Sequence, residues 1–334
     1  MTTGVSELPA AFVTRMIEQL GPDEAGHLFE SYALPRTQGL RLNPLKIKAG
    51  APDASIMDAL RQQFVLEPIP WCPTGYYYGE SARPGKHPYH SAGLYYIQEP
   101  SAMSSAELLA PEPGDIVLDL AAAPGGKTTQ LAGMMQGEGL LVANEIHPAR
   151  AKILSENVER CGIVNAVVTS AAPDQLAAKF PAFFDKIMLD APCSGEGMFR
   201  KDEEARAEWS PEHVEMCAAR QLDILDYAAV MLKPGGRLAY STCTFNREEN
   251  EDVLERFVEK HPAFEVLRSE RLWPHRERGE GHFAALLGKR SDIDNGADGA
   301  RDATLAAGSG GSASAGNRGR EARALGRRSA GGAG

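Results

Sequence analysis

The chain has no cysteine pair at C-x-x-C spacing, no apolar run long enough to span a bilayer, and no basic segment followed by an apolar stretch in its opening MTTGVSELPAAF. Each absence excludes a class. A spanning helix needs about 20 apolar residues, and a secretory leader needs a charged and then an apolar segment, so no membrane association and a cytoplasmic location are expected. The five cysteines, Cys72, Cys161, Cys193, Cys217 and Cys243, are odd in number and scattered. That spacing argues against a disulfide framework and, with no histidine pair beside them, against structural zinc. Reduced thiols and no metal are expected. Basic charge is also short, with 35 Lys and Arg against 45 Asp and Glu and a net charge of -10. A broadly phosphate-binding surface does not follow from that balance. Only local clusters, Arg36, Arg41, Lys46 and Lys48 near the start and Arg200-Lys201 later, leave room for a basic groove. Repeats and heptads are missing too, so a monomer is expected.

The length of 334 residues and the 43% hydrophobic content suit one large α/β domain with a small companion. From Pro9 to about Glu30, apolar residues recur at helical intervals with a break at Gly21-Pro22. Short β-like runs (GLRLNPL, FVLEPIPW) then flank the helical SIMDALRQQF, and residues 71 to 96 are rich in Tyr, Gly, Pro and His. Residues 1–96 therefore read as a small α+β domain. From Pro100 onward apolar runs alternate with helical stretches, the pattern of a mostly parallel sheet flanked by helices. Strands are predicted at Ile116–Leu120, Leu140–Asn144, Ala166–Thr169, Lys186–Leu189, Arg237–Tyr240 and His282–Leu287. Helices are predicted at Lys127–Met135, Pro148–Cys161, Pro211–Leu232 and Glu248–Glu259. Residues 97–289 form this catalytic-sized body. Residues 290–334, Gly-, Ala-, Ser- and Arg-rich, have the composition of a disordered low-complexity tail.

Four strings carry the chemistry. IVLDL runs into AAAPGGKTTQLAGMM, where Gly125 and Gly126 let the backbone approach a ligand at the carboxyl ends of the strands. The string is neither a P-loop nor a dinucleotide fingerprint, so it is not a phosphate cradle. By itself it fits a structural turn as well as a cofactor loop. The next strand, LLVAN, ends in Glu145, roughly 20 residues beyond the glycines, where a carboxylate can accept hydrogen bonds from both ribose hydroxyls of a nucleoside. KIMLDAPCSGEGMFRKD places Asp190 and Cys193 past the end of another strand, and RLAYSTCTFNREENE places Cys243 past the next. Two thiols and an acid thus leave the sheet at the edge that carries the glycine loop. Cys72, Cys161 and Cys217 lack such settings and read as inert core thiols.

Together with RLNPLK, YIQEPSAM and WPHRERGEGHF, these strings make residues 8 to 289 resemble the RNA (cytosine-5)-methyltransferases of the RsmF (Sun/Fmu) type. The resemblance implies a class I methyltransferase, Rossmann-like α/β fold. Its sheet would be mostly parallel and seven-stranded, with helices on both faces and an antiparallel last strand, beside a small α+β N-terminal RNA-binding domain. It implies S-adenosylmethionine as cofactor, lined by Ala122, Ala123, Pro124, Gly125, Gly126, Lys127 and Thr128, with Glu145 on the ribose and Asp190 between cofactor and target base. Cys243 would be the nucleophile and Cys193 would promote product release; spacing alone ranks neither thiol. RNA would be the partner, ribosomal RNA first and transfer RNA second. The residues suit that chemistry, because cytosine carbon 5 becomes nucleophilic only after a thiolate adds at carbon 6 and an acid steadies the ring edge. RLNPLK and the tyrosine-rich loop would lie near the RNA, with Arg41 on a phosphate. The adenine-side acid of the family is replaced by Ala172, with Asp174 two positions on. A small-molecule methyltransferase would share the loop and Glu145 without needing paired thiols, and a non-catalytic RNA-binding factor would need neither thiols nor cofactor.

Overall fold

The computed structural model describes residues 8–47 and 54–291. The expected tail past Ser291, and Lys48 of the basic cluster, lie outside the described residues. The chain divides into two units, Met1–Asp292 and Ile293–Gly334, and every described residue belongs to the first.

Pro9 precedes α1 (Ala10–Leu20), which Gly21 ends in a left-handed conformation (φ 80°) that lets Pro22 begin α2 (Pro22–Ser31) at once. A four-stranded antiparallel sheet follows: β1 (Gly39–Leu42), then α3 (Ala54–Phe64), β2 (Glu67–Ile69), β3 (Cys72–Tyr77), the short α4 (Pro88–Ser91) and β4 (Tyr95–Ile97), in the order β2-β3-β1-β4. Its core is Leu40, Leu60, Phe64 and Tyr95. Next come α5 (Ser104–Leu109), β5 (Ile116–Asp119), α6 (Gly126–Met135), β6 (Leu140–Asn144), α7 (Pro148–Cys161), β7 (Ala166–Thr169), α8 (Pro173–Lys179) and β8 (Phe184–Asp190). They are followed by α9 (Glu203–Glu208), α10 (Pro211–Met231), β9 (Leu232–Thr242), α11 (Glu251–Lys260), β10 (Phe264–Leu272) and β11 (His282–Lys289).

The second sheet has the order β10-β11-β9-β8-β5-β6-β7. Its pairs are parallel from β7 through β9, while β11 and β10 are antiparallel. Side chains alternate between its faces as a strand requires. Leu118, Ile187 and Leu189 pack against α8, α10 and α11, whereas Val117, Leu141 and Met188 pack against α5, α6 and α7. This is the expected α/β fold with helices on both faces. From β5 the chain moves outward to β6 and β7 and then returns to β8 on the other side, so the strand order reverses between β5 and β8. Ligands bind at such a reversal, outside the carboxyl ends of the strands.

The predicted strands at 140–144 and 166–169 coincide with β6 and β7, and the helix at Pro148–Cys161 with α7. One strand of the seven-stranded sheet was not predicted, nor were β3 and β4 of the small one. β10 (FEVLRSERL) is an edge strand with five consecutive exposed residues, so its sequence lacks an alternating apolar face.

The N-terminal elements pack in two places. α1 and α2 share a core with Phe199, Trp209, Phe245 and Trp273, residues that follow β8, β9 and β10. Arg41 of β1 is buried, and contrary to the expected phosphate contact it donates to the Gly126 carbonyl (2.9 Å), Thr129 Oγ1 (2.7 Å) and Gln98 Oε1 (3.1 Å). In the same RLNPLK string, Asn43 donates to Gly93 O and Cys161 O, and Lys46 to Ala92 O and Arg160 O. The string docks the small sheet onto α6 and α7. Arg200 is likewise committed, pairing with Glu280 (2.7 Å) and donating to Ser31 O and Gly279 O. Glu280 also accepts from the Thr37 amide, and its own amide donates to Glu99. These bonds form a latch joining residues 31–37, 99 and 200 to the turn before β11.

Candidate active site

β5 ends at Asp119, and Ala122, Ala123, Pro124 and Gly125 make the turn into α6, with a cis bond at Ala123-Pro124 and φ 115° at Gly125, a conformation that favours glycine. Gly126, Lys127 and Thr128 form the first turn of α6. Thr128 Oγ1 donates to Asp119 Oδ2 at 2.6 Å, pinning the helix start to the strand end, and Asp119 Oδ1 has no partner among the described residues. Glu145 follows β6 and is buried; one oxygen accepts from the His147 amide (3.0 Å) and the other faces exposed Arg150 (3.3 Å).

On the other side of the strand reversal, Asp190 closes β8. Lys127 Nζ lies 2.7 Å from its Oδ2, and Ser241 Oγ donates to Oδ1 at 2.9 Å. Burial favours the neutral acid, but the Lys127 charge and these hydrogen bonds outweigh it and hold the carboxyl below its ordinary value. Asp190 is therefore ionised. His282, at the start of β11, is buried, and its Nε2 has no hydrogen-bond partner among the described residues and lies 3.8 Å from Asp190 Oδ1. Burial, with Lys127 adding to it, pushes the imidazole down to about 3, so this contact is not an ion pair.

Cys193 and Cys243 stand on the loops after adjacent strands β8 and β9, with their sulfurs 3.4 Å apart. The hydrogen bond to Cys243, burial, and the charges of Cys243 and Glu249 push the Cys193 thiol well above the ordinary range. The two loops grip each other through two fully buried acids. Glu196, from the Cys193 loop, accepts from the amides of Phe245 (2.6 Å) and Asn246 (2.9 Å) and from Trp209 Nε1. Glu249, from beyond Cys243, accepts from the Ser194 amide and hydroxyl, Asn246 and Gln221. Cys72, Cys161 and Cys217 are buried, and burial raises each of their thiols.

The structure thus gathers the predicted residues in two groups, the loop 122–128 with Glu145, and Asp190 with both thiols, joined by the Lys127–Asp190 pair. Asp119, Glu196, Ser241, Glu249 and His282 escaped the sequence reading. The acid in IVLDL and the NREEN string were visible there, but not their partners. Asp174, the remaining candidate near the adenine side, is exposed in the first turn of α8.

The acceptors suit S-adenosylmethionine. Each Glu145 oxygen keeps a lone pair for a ribose hydroxyl, and unpartnered Asp119 Oδ1 is a further buried acceptor beside the loop. Among the described residues no three His, Cys, Asp or Glu side chains form a metal-binding group, and no helix is long and apolar enough to cross a membrane.

Comparison with known proteins places this geometry among relatives. The family model for the 16S rRNA methyltransferase RsmB/F matches residues 106–288, and that for the N-terminal domain of the 16S rRNA methyltransferase RsmF matches residues 8–100. The chain is 38% identical to the ribosomal RNA small subunit methyltransferase F of Cronobacter sakazakii, over 86% of this chain and 64% of that one. To the protein of the same name from Vibrio vulnificus it is 40% identical, over 78% and 59% of the two chains. A solved methyltransferase homolog from Pyrococcus horikoshii superposes with a TM-score of 0.75 at 28% identity, covering 86% of this chain and 100% of that one. The chain therefore spans about three fifths of the length of the two curated relatives.

Proposed function

The chain belongs to the RsmB/F family of 16S rRNA methyltransferases, and from that premise we propose that it methylates carbon 5 of a cytosine in ribosomal RNA, with S-adenosylmethionine as methyl donor and Cys243 as nucleophile. The observation that carries the reading is the pair of sulfurs 3.4 Å apart beside an ionised aspartate, at the strand ends that also carry the glycine loop. A small-molecule methyltransferase has no use for that pair.

The chemistry follows from the positions. Glu145 and the loop 122–128 hold the cofactor, which when bound supplies an electrophilic methyl group. Asp190, kept ionised by Lys127, accepts a hydrogen bond from the exocyclic amine of the base and fixes the ring edge. Cys243 gives its thiol proton to water and adds as thiolate to carbon 6, the ring electrons move toward carbon 5, and carbon 5 takes the methyl group, whose bonding pair would stay on the donor's sulfur. Loss of the carbon 5 proton to water then restores the ring double bond and expels the Cys243 sulfur. Cys193, which keeps its proton, donates a hydrogen bond to that departing sulfur. A base inside a duplex cannot reach these thiols, so the target is single-stranded or flipped out. Residues 1–96 are proposed as the RNA-presenting part and residues 97–289 as the catalytic part. None of the five tyrosines Tyr76, Tyr77, Tyr78, Tyr95 and Tyr96 is exposed, which disfavours base stacking on them, and with Arg41 buried the phosphate contacts fall to exposed cations such as Arg83 and Lys86.

The test is a denaturing-gel shift of Cys193→Ala and Cys243→Ala, each incubated with small-subunit ribosomal RNA and S-adenosylmethionine. An RNA–protein adduct is expected in Cys193→Ala alone. An adduct only in Cys243→Ala exchanges the thiols' roles. Absence from both, with cofactor binding confirmed, rejects ribosomal RNA as substrate and makes transfer RNA the next to try.

A further inference from the structure

Glu249 has no exposed surface; burial raises its carboxyl, and what opposes that rise is hydrogen bonding from Ser194 and Asn246. Oε1 accepts from Ser194 Oγ and from Asn246 Nδ2 (2.8 Å), and Oε2 accepts from the Ser194 amide (2.9 Å) and Gln221 Nε2 (2.9 Å). Gln221 Nε2 also donates to the Pro192 carbonyl at 2.9 Å. The residues on both sides of Cys193 are therefore tied, one directly and one through Gln221, to a single carboxylate. The Cys243 loop shares one of these bonds, through Asn246, but is fastened mainly by a second acid. Glu196 grips the amides of Phe245 and Asn246, and the Gly197 amide donates to the Cys243 carbonyl at 2.8 Å.

We propose that Glu249 is a positioning residue for product release: it holds Cys193 at hydrogen-bonding distance from the sulfur of Cys243, and so sets the rate at which that sulfur leaves carbon 6. The proposal rests on the reaction proposed above. In the step concerned, the bond from carbon 6 to the Cys243 sulfur breaks, its electron pair stays on sulfur, and the carbon 5 proton goes to water as the double bond re-forms. The Cys193 thiol shares its proton with the new thiolate. Two features of Glu249 serve this step. Three of its four accepted bonds, from Ser194 and Gln221, hold the backbone on either side of Cys193, and its charge beside Cys193 helps keep the proton on that sulfur. Attack by Cys243 on carbon 6 draws on neither.

Glutamine cannot replace this carboxylate. In either orientation of the amide, its NH2 faces at least one nitrogen that can only donate, the Ser194 amide and Gln221 Nε2 on one side or Asn246 Nδ2 on the other. Glu249→Gln is therefore expected to accumulate the covalent RNA adduct on a denaturing gel, as Cys193→Ala does. The KM for RNA should stay within about twofold while kcat falls by on the order of 100-fold, the size of effect that about 1 Å of misplacement produces. Adduct formation in a single turnover should be close to wild type. Gln221→Met, which removes one of the four donors, should show the same pattern more weakly, and it decides the matter if Glu249→Gln does not fold. Normal kcat without adduct, or a folded variant unable to form the adduct at all, would overturn the proposal. The two readings fail separately. If Cys193→Ala itself forms no adduct, the reaction scheme is wrong; if it does while Glu249→Gln and Gln221→Met do not, only the role of Glu249 is lost.

Discussion

Asp119 shows how one residue at this site couples proton affinity to folding. Burial, opposed by the Thr128 hydrogen bond and the Lys127 charge, lifts its carboxyl from 3.8 to about 7. A group that binds its proton more tightly in the folded chain than in the unfolded one favours folding at low pH. Stability therefore falls as pH rises between those two values. Asp119→Asn keeps the shape and the acceptor for Thr128 with nothing to ionise. Its melting temperature should match wild type near about pH 3.5, below the unfolded value, and exceed it by several degrees near about pH 8, since one pKa unit is worth about 1.4 kcal/mol. Scanning calorimetry at the two pH values checks this, and parallel pH curves for the two proteins would refute it. The cysteines mark how far residues could be understood from sequence. Cys193 and Cys243 stood out because Pro, Ser, Thr and Gly flank them at strand ends, whereas nothing in the sequence around Glu196 and Glu249 marks them as buried. Their partners lie about 50 positions away in the chain, and only the fold brings them together.

At the scale of elements, strands with apolar runs were legible, even β7 at one edge of the sheet, and the charged strand β10 at the other edge was not. β6 and β7 have short apolar runs that end in polar residues, and their limits followed from that alone. β10 pairs along β11 with charged side chains facing solvent, so nothing in its composition distinguishes it from a loop. The turn into β11 was recognisable only as a family string, yet its geometry is demanding. Gly281 has φ 104°, and a Cβ there would lie 2.3 Å from the ring of Phe245, which stacks on Trp273 at 4.9 Å. Gly281→Ala combines left-handed strain with overpacking and should cost about 2–4 kcal/mol in urea unfolding. It should also impair adduct formation, because Phe245 lies two residues from Cys243 in the same loop. A loss below about 0.5 kcal/mol would mean that the loop gives way freely.

For the whole molecule, the informative misreading is Arg41. A basic residue in a strand of a supposed RNA-binding domain suggested a phosphate contact, because sequence shows the charge and hides the burial. The structure uses it to join the small sheet to the first turns of α6, immediately behind the cofactor loop. Arg41→Ala should therefore lower stability by about 2–4 kcal/mol, the cost of leaving its buried partners unsatisfied, and weaken binding of S-adenosylmethionine. The slope of RNA affinity against salt should stay as in wild type, whereas loss of a phosphate contact would reduce it by about 1. Calorimetric titration of the cofactor and filter binding of RNA across a salt series separate the two.

The latch around Glu280 has a consequence for how the protein is made. Thr37 donates to a side chain 243 positions later, and Ser31 waits for Arg200. At about 5–20 residues per second, translation separates Thr37 from its acceptor by roughly 10–50 s. During that time the first segment leaves the ribosome without its final partners, and the small sheet gains a body to dock on only as α6 and α7 appear. The strand that follows the latch, β11, inserts between β9 and β10 and carries His282 to the side of Asp190. One late event in synthesis thus closes the latch, completes the sheet and finishes the reaction centre, so a ribosome that stalls before residue 280 releases a chain in which none of the three is complete.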